Sequence, residues 1–412
     1  MRALRWVLIV LAALLVVVPG GLTAYYWIGQ WRAAAAQDPL EAFYTPPDPV
    51  TGRPGDVVRS EPAPEWNVPG ATAQRILYVT EGVGGVLRVA GGTVWVPDRP
   101  APGPRRVVAW AHGTVGLGPE CAPSRNPSLM PTMSAWVGQM AAKGWVVTAT
   151  DYQGLGTPPP YSYLVGRAEV RDVVNSVRAA RSLPGAQAGA EWAVYGFSQG
   201  GHSALWTGHL AAELAPELHL VAVAAVSPAA PLAVILDQQW DTGVAWAIGP
   251  EVMVSWPAWS PGLTAGSLVS PVGQRVTMSQ ALDCATAAAL FGIARQEAGQ
   301  RYFTQNPGDT PGWDSALRAE TPGPLPGDLP VLVPIGTADD VVLASSIAYL
   351  QKQWCRAGSD LTMDWLGGVN HLKANQVAAP AVVQWLTDRF AGRRSHRNCG
   401  QAPPVAAYRP GS

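Results

Sequence analysis

Short apolar runs that end in glycine or polar turns alternate with helix-length amphipathic stretches over the first half of the chain. Arg75–Val79 and Gly92–Val96 are the first runs with strand character, with a glycine-rich turn region between them. Val107–Ala111 is the next strand, followed by a helical pattern over Thr132–Lys143 and a strand over Trp145–Thr150. A helix over about Ala168–Ser182 leads to strands at Trp192–Tyr195 and Leu220–Val226, with a helical stretch from Gly201 to about Leu214 between those two. From Pro228 to about Leu329 the alternation stops. Broken helical pieces rich in Ala and Trp, marked by Pro and Gly turns, predict an inserted helical cap there. Strands at Val331–Ile335 and Leu361–Leu366 and a helix over about Asn375–Phe390 then complete the pattern. Alternation at this spacing predicts an α/β fold, a mostly parallel sheet with helices on both faces. The expected organisation is a leader in 1–32, a Pro- and Gly-rich linker or arm in 33–69, core in 70–229, cap in 230–329, core again in 330–392 and a polar tail in 393–412.

Of the 412 residues 48% are hydrophobic and 14% charged, which provides for a large core and argues against disorder. The net charge is −1 with no basic stripe, so nothing recommends nucleic acid as a partner. Met1–Arg5 is basic and Trp6–Val18 uninterruptedly apolar, the pattern of a signal peptide. If Leu22–Ile28 continues the span, it approaches the roughly 20 residues of an uncleaved anchor. Either way the remainder is expected to be exported, secreted or held at the outer face of the membrane. Cys121, Cys284, Cys355 and Cys399 are widely spaced, with no C-x-x-C pair, so no zinc site is expected. In an exported chain they predict two disulfides, with three pairings open.

The chemistry centres on Gly196-Phe197-Ser198-Gln199-Gly200, a G-x-S-x-G string between a strand and a helix. A serine on such a turn stands clear of the sheet, and glycines on either side let neighbouring backbone come close. The Gln199 N–H, at a helix N-terminus, is placed to donate to a developing oxyanion. Serine needs a base oriented by an acid, and in folds built around this elbow they follow in the order Ser, acid, His. Of six histidines only His371 and His396 come late enough. His371 is expected in a loop between the last strand and last helix, whereas His396 sits among arginines of the polar tail. The acid is expected just past Val331–Ile335, where Asp339 is favoured and its neighbour Asp340 is the alternative. The second oxyanion donor is expected from the Thr114 N–H in His112-Gly113-Thr114, with His112 bracing that loop. Asp151, at another strand end, is expected to be structural.

Several further strings stand in order with these: Phe43-Tyr44-x-Pro-Pro, His112-Gly113-Thr114-x-Gly116, Cys121-Ala122-Pro123-Ser124, Asp151-Tyr152-x-Gly154-Leu155-Gly156-Thr157, Gly336-Thr337-x-Asp339 and Cys355-x-x-Gly358. From Phe43 to Phe390 the chain resembles the secretory lipase family, a branch of the α/β-hydrolases. The resemblance implies an α/β-hydrolase fold with an inserted helical lid and a triad of Ser198, Asp339 and His371. It also implies disulfides Cys121–Cys284 and Cys355–Cys399. The serine chemistry itself is expected to need no metal or organic cofactor.

The expected reaction is serine-dependent hydrolysis of carboxylic esters, most naturally acylglycerols, with a lipid or ester substrate and possible contact with a membrane or lipid interface. Tryptophans 240, 246, 256 and 259 in the cap suit an apolar acyl site, though aromatics also serve plain packing. The alternatives are a short-chain esterase, an acyltransferase or a peptidase with the same chemistry, and a catalytically silent surface protein.

Overall fold

The computed structural model describes residues 39–130 and 133–409. The described residues divide into two units, one up to residue 44 and one from residue 45. In the first, residues 39–44 are helical; the second holds every element named below. The expected leader lies outside the described residues. Among the described residues no helix is long and apolar enough to cross a membrane.

Nine strands form one sheet: β1 (Val57–Pro62), β2 (Ala71–Glu81), β3 (Leu87–Pro97), β4 (Arg105–Ala111), β5 (Val146–Thr150), β6 (Ala188–Phe197), β7 (His219–Val226), β8 (Val331–Gly336) and β9 (Leu361–Leu366). Their order is β1-β2-β3-β5-β4-β6-β7-β8-β9. The pairings from β1 to β5 are antiparallel, and those from β5 through β4 to β9 are parallel. The parallel part is the α/β sheet expected from the alternation. β5 and β8 are buried at every position, as strands covered on both faces must be. β1 falls inside the stretch expected to be a linker or arm, and pairs with β2 at the sheet edge. Its sequence, Val-Val-Arg-Ser-Glu-Pro, is half-exposed and lacks the apolar run that marks a central strand.

Helices cover the two faces with separate cores. On one face α2 (Gly166–Ser182), α3 (Gln199–Leu214) and α9 (Ala344–Ala357) pack Val173, Val177, Leu205 and Ile347 against the sheet. On the other, α1 (Met133–Ala142) and α10 (His371–Phe390) bring Trp136, Met140, Val382 and Leu386. The Trp136 ring packs against Trp110 and Tyr195, which are paired across β4 and β6.

Between β7 and β8 lie α4 (Leu232–Gln239), α5 (Gly243–Trp259), α6 (Pro271–Leu282), α7 (Ala285–Glu297) and α8 (Trp313–Ala319). Prolines suggested breaks in this region, yet α5 runs through both Pro250 and Pro257. A proline inside a helix removes a hydrogen bond and crowds the preceding turn. Burial of Trp246, Met253 and Trp256 in a core that the insertion shares with Leu117 and Tyr163–Val165 outweighs that local cost. Trp246 donates to the Gln300 carbonyl and meets Tyr302 edge-on. Trp259 donates to the Tyr161 carbonyl, and Arg301 lies over Trp240. These three tryptophans are packing residues.

The cysteines pair as Cys121–Cys284, which joins the segment after β4 to the start of α7, and Cys355–Cys399. The second bond pins the tail beside β9. There the Asn398 side chain accepts from the Met363 N–H at 2.8 Å and donates to its carbonyl at 2.7 Å. The sheet edge is thereby partly covered. Loop entropy orders the two bonds, because they span 163 and 44 residues. Replacing Cys121 and Cys284 together by Ser should therefore lower unfolding free energy by about 1 kcal/mol more than replacing Cys355 and Cys399. Urea denaturation of the two variants measures that order.

Candidate active site

The centre of the site is a turn with almost no spare room. β6 ends at Phe197 and α3 begins at Gln199, leaving Ser198 alone between them at φ 56°, ψ −116°. A side chain in that region is strained, at a cost of about 1–3 kcal/mol, and persists only where its surroundings over-determine it. The surroundings do so here. The Ser198 N–H donates to the Val226 carbonyl at 3.0 Å, and its own carbonyl accepts from Ala229 at 3.0 Å and His202 at 3.1 Å. A Cβ on Gly196 would stand 1.9 Å from the Gly200 carbonyl oxygen, and one on Gly200 would stand 1.8 Å from that of Ala111. Both positions exclude any other residue.

Two further loops deliver the other side chains. The segment after β8 meets the segment before α10 at Gly336, where a Cβ would lie 2.0 Å from the Val369 carbonyl oxygen. The Ala338 N–H donates to that same carbonyl. His371 is the first residue of α10 rather than part of a loop, because the Asn370 side chain caps the helix by accepting from the Lys373 N–H at 3.2 Å. The structure brings Ser198, His371 and Asp339 together. His371 Nε2 is 3.0 Å from Ser198 Oγ, and Nδ1 is 2.9 Å from both carboxylate oxygens of Asp339. Asp339 is fixed in turn by the Val341 and Val342 N–H groups at 3.1 and 2.8 Å. Asp339 and His371 are buried, whereas Asp340 is exposed. His396 is also exposed, away from this cluster. Hydrogen bonds of this kind let an imidazole accept a hydroxyl proton while a carboxylate fixes its tautomer.

Thr114 and Gln199 line the same cavity as Ser198. Gly113 lies against the elbow, since a Cβ there would be 3.4 Å from that of Ser198. The Thr114 hydroxyl is 2.8 Å from the Tyr163 hydroxyl, a partner with no mark in the sequence. His112 is fully buried, with its ring nitrogens 2.7 Å from the Gly113 carbonyl and 3.3 Å from that of Asp151. Burial pushes its pKa down to about 4, despite those carbonyl contacts, so it is a neutral brace for the loop. Burial instead raises Asp151, to about 6, against the Ser124 hydroxyl and N–H that both donate to it. Neither group touches the Ser–His–Asp cluster.

From Ser198 an apolar cavity, partly open to solvent, runs beneath the insertion. Leu232, Ile235, Ile248, Met253 and Phe303 line it. Of the four tryptophans singled out in the sequence only Trp256 reaches it, stacked on Trp313 at 6.0 Å. Two buried carboxylates on α2, Glu169 and Asp172, escaped sequence reasoning. The trace they leave is an acidic residue on the apolar face of an amphipathic helix, beside Val170 and Val173.

Comparison with known proteins gives a consistent result. The family model for secretory lipases matches residues 132–306 and 316–398, well over half of the chain. A Mycobacterium tuberculosis protein named a probable inactive lipase is 27% identical, over 90% of this chain and 88% of its own. A secreted triacylglycerol lipase of Malassezia globosa is 24% identical, over 93% and 86%. The solved structure of Candida antarctica lipase A in its closed state superposes with a TM-score of 0.70 at 19% identity, over 89% of both chains.

Two measurements check the local physics. Gly200→Ala should lower the unfolding midpoint sharply, because its methyl has no space against Ala111; an unchanged midpoint would contradict the packing. The His112 imidazole should stay neutral in nitrogen NMR at pH 5. Because its folded pKa is depressed, the stability it contributes is present above its ordinary pKa of 6.5 and is lost as pH falls toward about 4.

Proposed function

The chain belongs to the secretory lipase family, a family of carboxylic ester hydrolases, and on that premise we propose that it hydrolyses acylglycerols through an acyl-enzyme on Ser198. The observation that carries the reading is the unbroken series from Ser198 Oγ through His371 to Asp339, with Ser198 lining an apolar cavity. His371 Nε2 takes the hydroxyl proton as Oγ bonds to the ester carbonyl carbon. Asp339 holds the Nδ1 proton and stabilises the imidazolium that forms. The carbonyl oxygen becomes an oxyanion, received by the N–H groups of Gln199 and Thr114. The bond to the alcohol oxygen then breaks, and His371 returns the proton to the departing alcohol. A water, deprotonated by His371, attacks the acyl carbon, releases the fatty acid and restores Ser198.

The apolar lining supports an acyl chain in the cavity, because burying each methylene contributes about 0.8 kcal/mol. The exposed side chains of Leu290 and Ile293 on α7, and of Leu372 beside His371, support work at a lipid–water boundary. The family and the two disulfides support export to an oxidising compartment.

A second reading, a silent surface protein, is favoured by the relative named a probable inactive lipase. A serine-directed phosphonate separates the two. Labelling that disappears in Ser198→Ala supports the hydrolase, and no labelling of folded wild type supports the silent protein. Hydrolysis of p-nitrophenyl esters from acetyl to palmitoyl should extend into the long chains, whereas activity confined to acetyl and butyryl would make this a short-chain esterase. Asp339→Asn should reduce kcat by about 10³–10⁴-fold and Asp340→Asn by less than about threefold. The reverse order would exchange their roles.

A further inference from the structure

Behind the elbow three donors converge on one carboxylate that the ester chemistry does not use. Glu169, in the first turn of α2, and His202, on α3, are both 0% exposed. Glu169 Oε1 accepts from the Leu164 N–H at 3.0 Å and from the Gln199 side-chain amide at 2.8 Å. Glu169 Oε2 is 3.1 Å from His202 Nδ1. The other ring nitrogen of His202 is 2.7 Å from the Glu320 carbonyl. Both ring nitrogens therefore face acceptors, and both are satisfied when the ring is an imidazolium. Burial works against that charge, but the Glu169 carboxylate and the Glu320 carbonyl outweigh it and leave the His202 pKa raised. The Trp206 indole N–H, 3.1 Å from both His202 Nε2 and the Glu320 carbonyl, then donates to the carbonyl.

A buried ion pair is poor value for stability alone, because desolvation of the two charges opposes their attraction. Its location explains it. Gln199 and His202 are the first and fourth residues after Ser198, and both side chains end on the same carboxylate. Close glycine packing and the bond to Val226 hold the strained serine from the sheet side. Glu169 holds it from the helix side.

We propose that Glu169 is a positioning residue for the oxyanion: it clamps the first turn of α3 through Gln199 and His202 and so fixes the direction of the Gln199 peptide N–H. The role rests on Ser198 being the nucleophile. The clamp is also joined to the insertion, since the Glu320 carboxylate accepts from the Gly166 N–H at 2.7 Å while the Glu320 backbone carbonyl accepts from His202.

Three variants separate positioning from packing. Gln199→Met fills the same volume and keeps the peptide N–H but cuts the tether. Glu169→Leu removes the anchor. Glu169→Gln keeps an acceptor for the Gln199 amide, and its own amide can donate to Nδ1 of a neutral His202. The readout is kcat and KM for an oxoester and its thionoester, whose sulfur is a weak hydrogen-bond acceptor and so gains little from oxyanion donors. Gln199→Met should lose about 10–100-fold in oxoester kcat with little change in KM, and its oxoester-to-thionoester ratio should fall by a similar factor. Glu169→Leu should match it where it folds. Glu169→Gln should stay within about threefold of wild type. An unchanged ratio in Gln199→Met, whether or not kcat falls, would overturn the proposal, because loss of structure alone slows both substrates alike. A wild type that the phosphonate does not label would instead remove the nucleophile on which the role rests.

Discussion

A serine held at φ 56° in a turn that excludes a side chain at Gly196 and Gly200 on either side is the constraint that organises this molecule. The strain survives because separate parts of the fold press on it. β7 receives the serine N–H, the end of β4 sits against Gly200, and the segment after β7 donates to the serine carbonyl. Each contact needs its strand in register, so the parallel order β4-β6-β7 is a condition for the geometry of a single hydroxyl. Distance from solvent follows from the same packing, with Ser198 9% and His371 4% exposed.

How much of this was legible depended on the range of the interaction. Nearly every strand and most core helices announced themselves through apolar runs between turn residues, and the elbow through glycines whose spacing has a local steric cause. The edge strand β1 did not, because a half-exposed partner at a sheet edge needs no continuous apolar face. Prolines are local signals that predict breaks in the insertion, while the burial of Trp246, Met253 and Trp256 that carries α5 through two of them is not local. The sequence favours Asp339 over its neighbour Asp340 without excluding the latter, and the bonds from Val341 and Val342 hold Asp339 where it meets His371. His371 moved from an expected loop to a helix start through one capping side chain.

The buried ionisable groups were the least legible part. Glu169 and Asp172 sit on the buried face of α2, where a periodicity argument expects apolar residues. Burial, with a smaller push from the Glu169 charge, raises Asp172 to about 7, even against the Thr80 and Gln153 donors around it. Polar residues in such positions concentrate on the side of the sheet that carries the elbow, joining α2, α3 and the loop after β5. Their value is directional, since apolar packing holds distances well and hydrogen bonds hold orientations.

The Cys121–Cys284 bond sets the mechanics of access to the cavity. It ties the insertion, midway along its length, to the segment that follows β4, while the insertion's two ends are already fixed by β7 and β8. A body anchored at three places cannot swing away as a door on one hinge. Any widening of the partly open cavity must come from sliding or local loosening between the anchors, where α4 and α5 line it. An oxidising environment therefore does more than stabilise the fold: it selects a doorway that flexes over one that detaches.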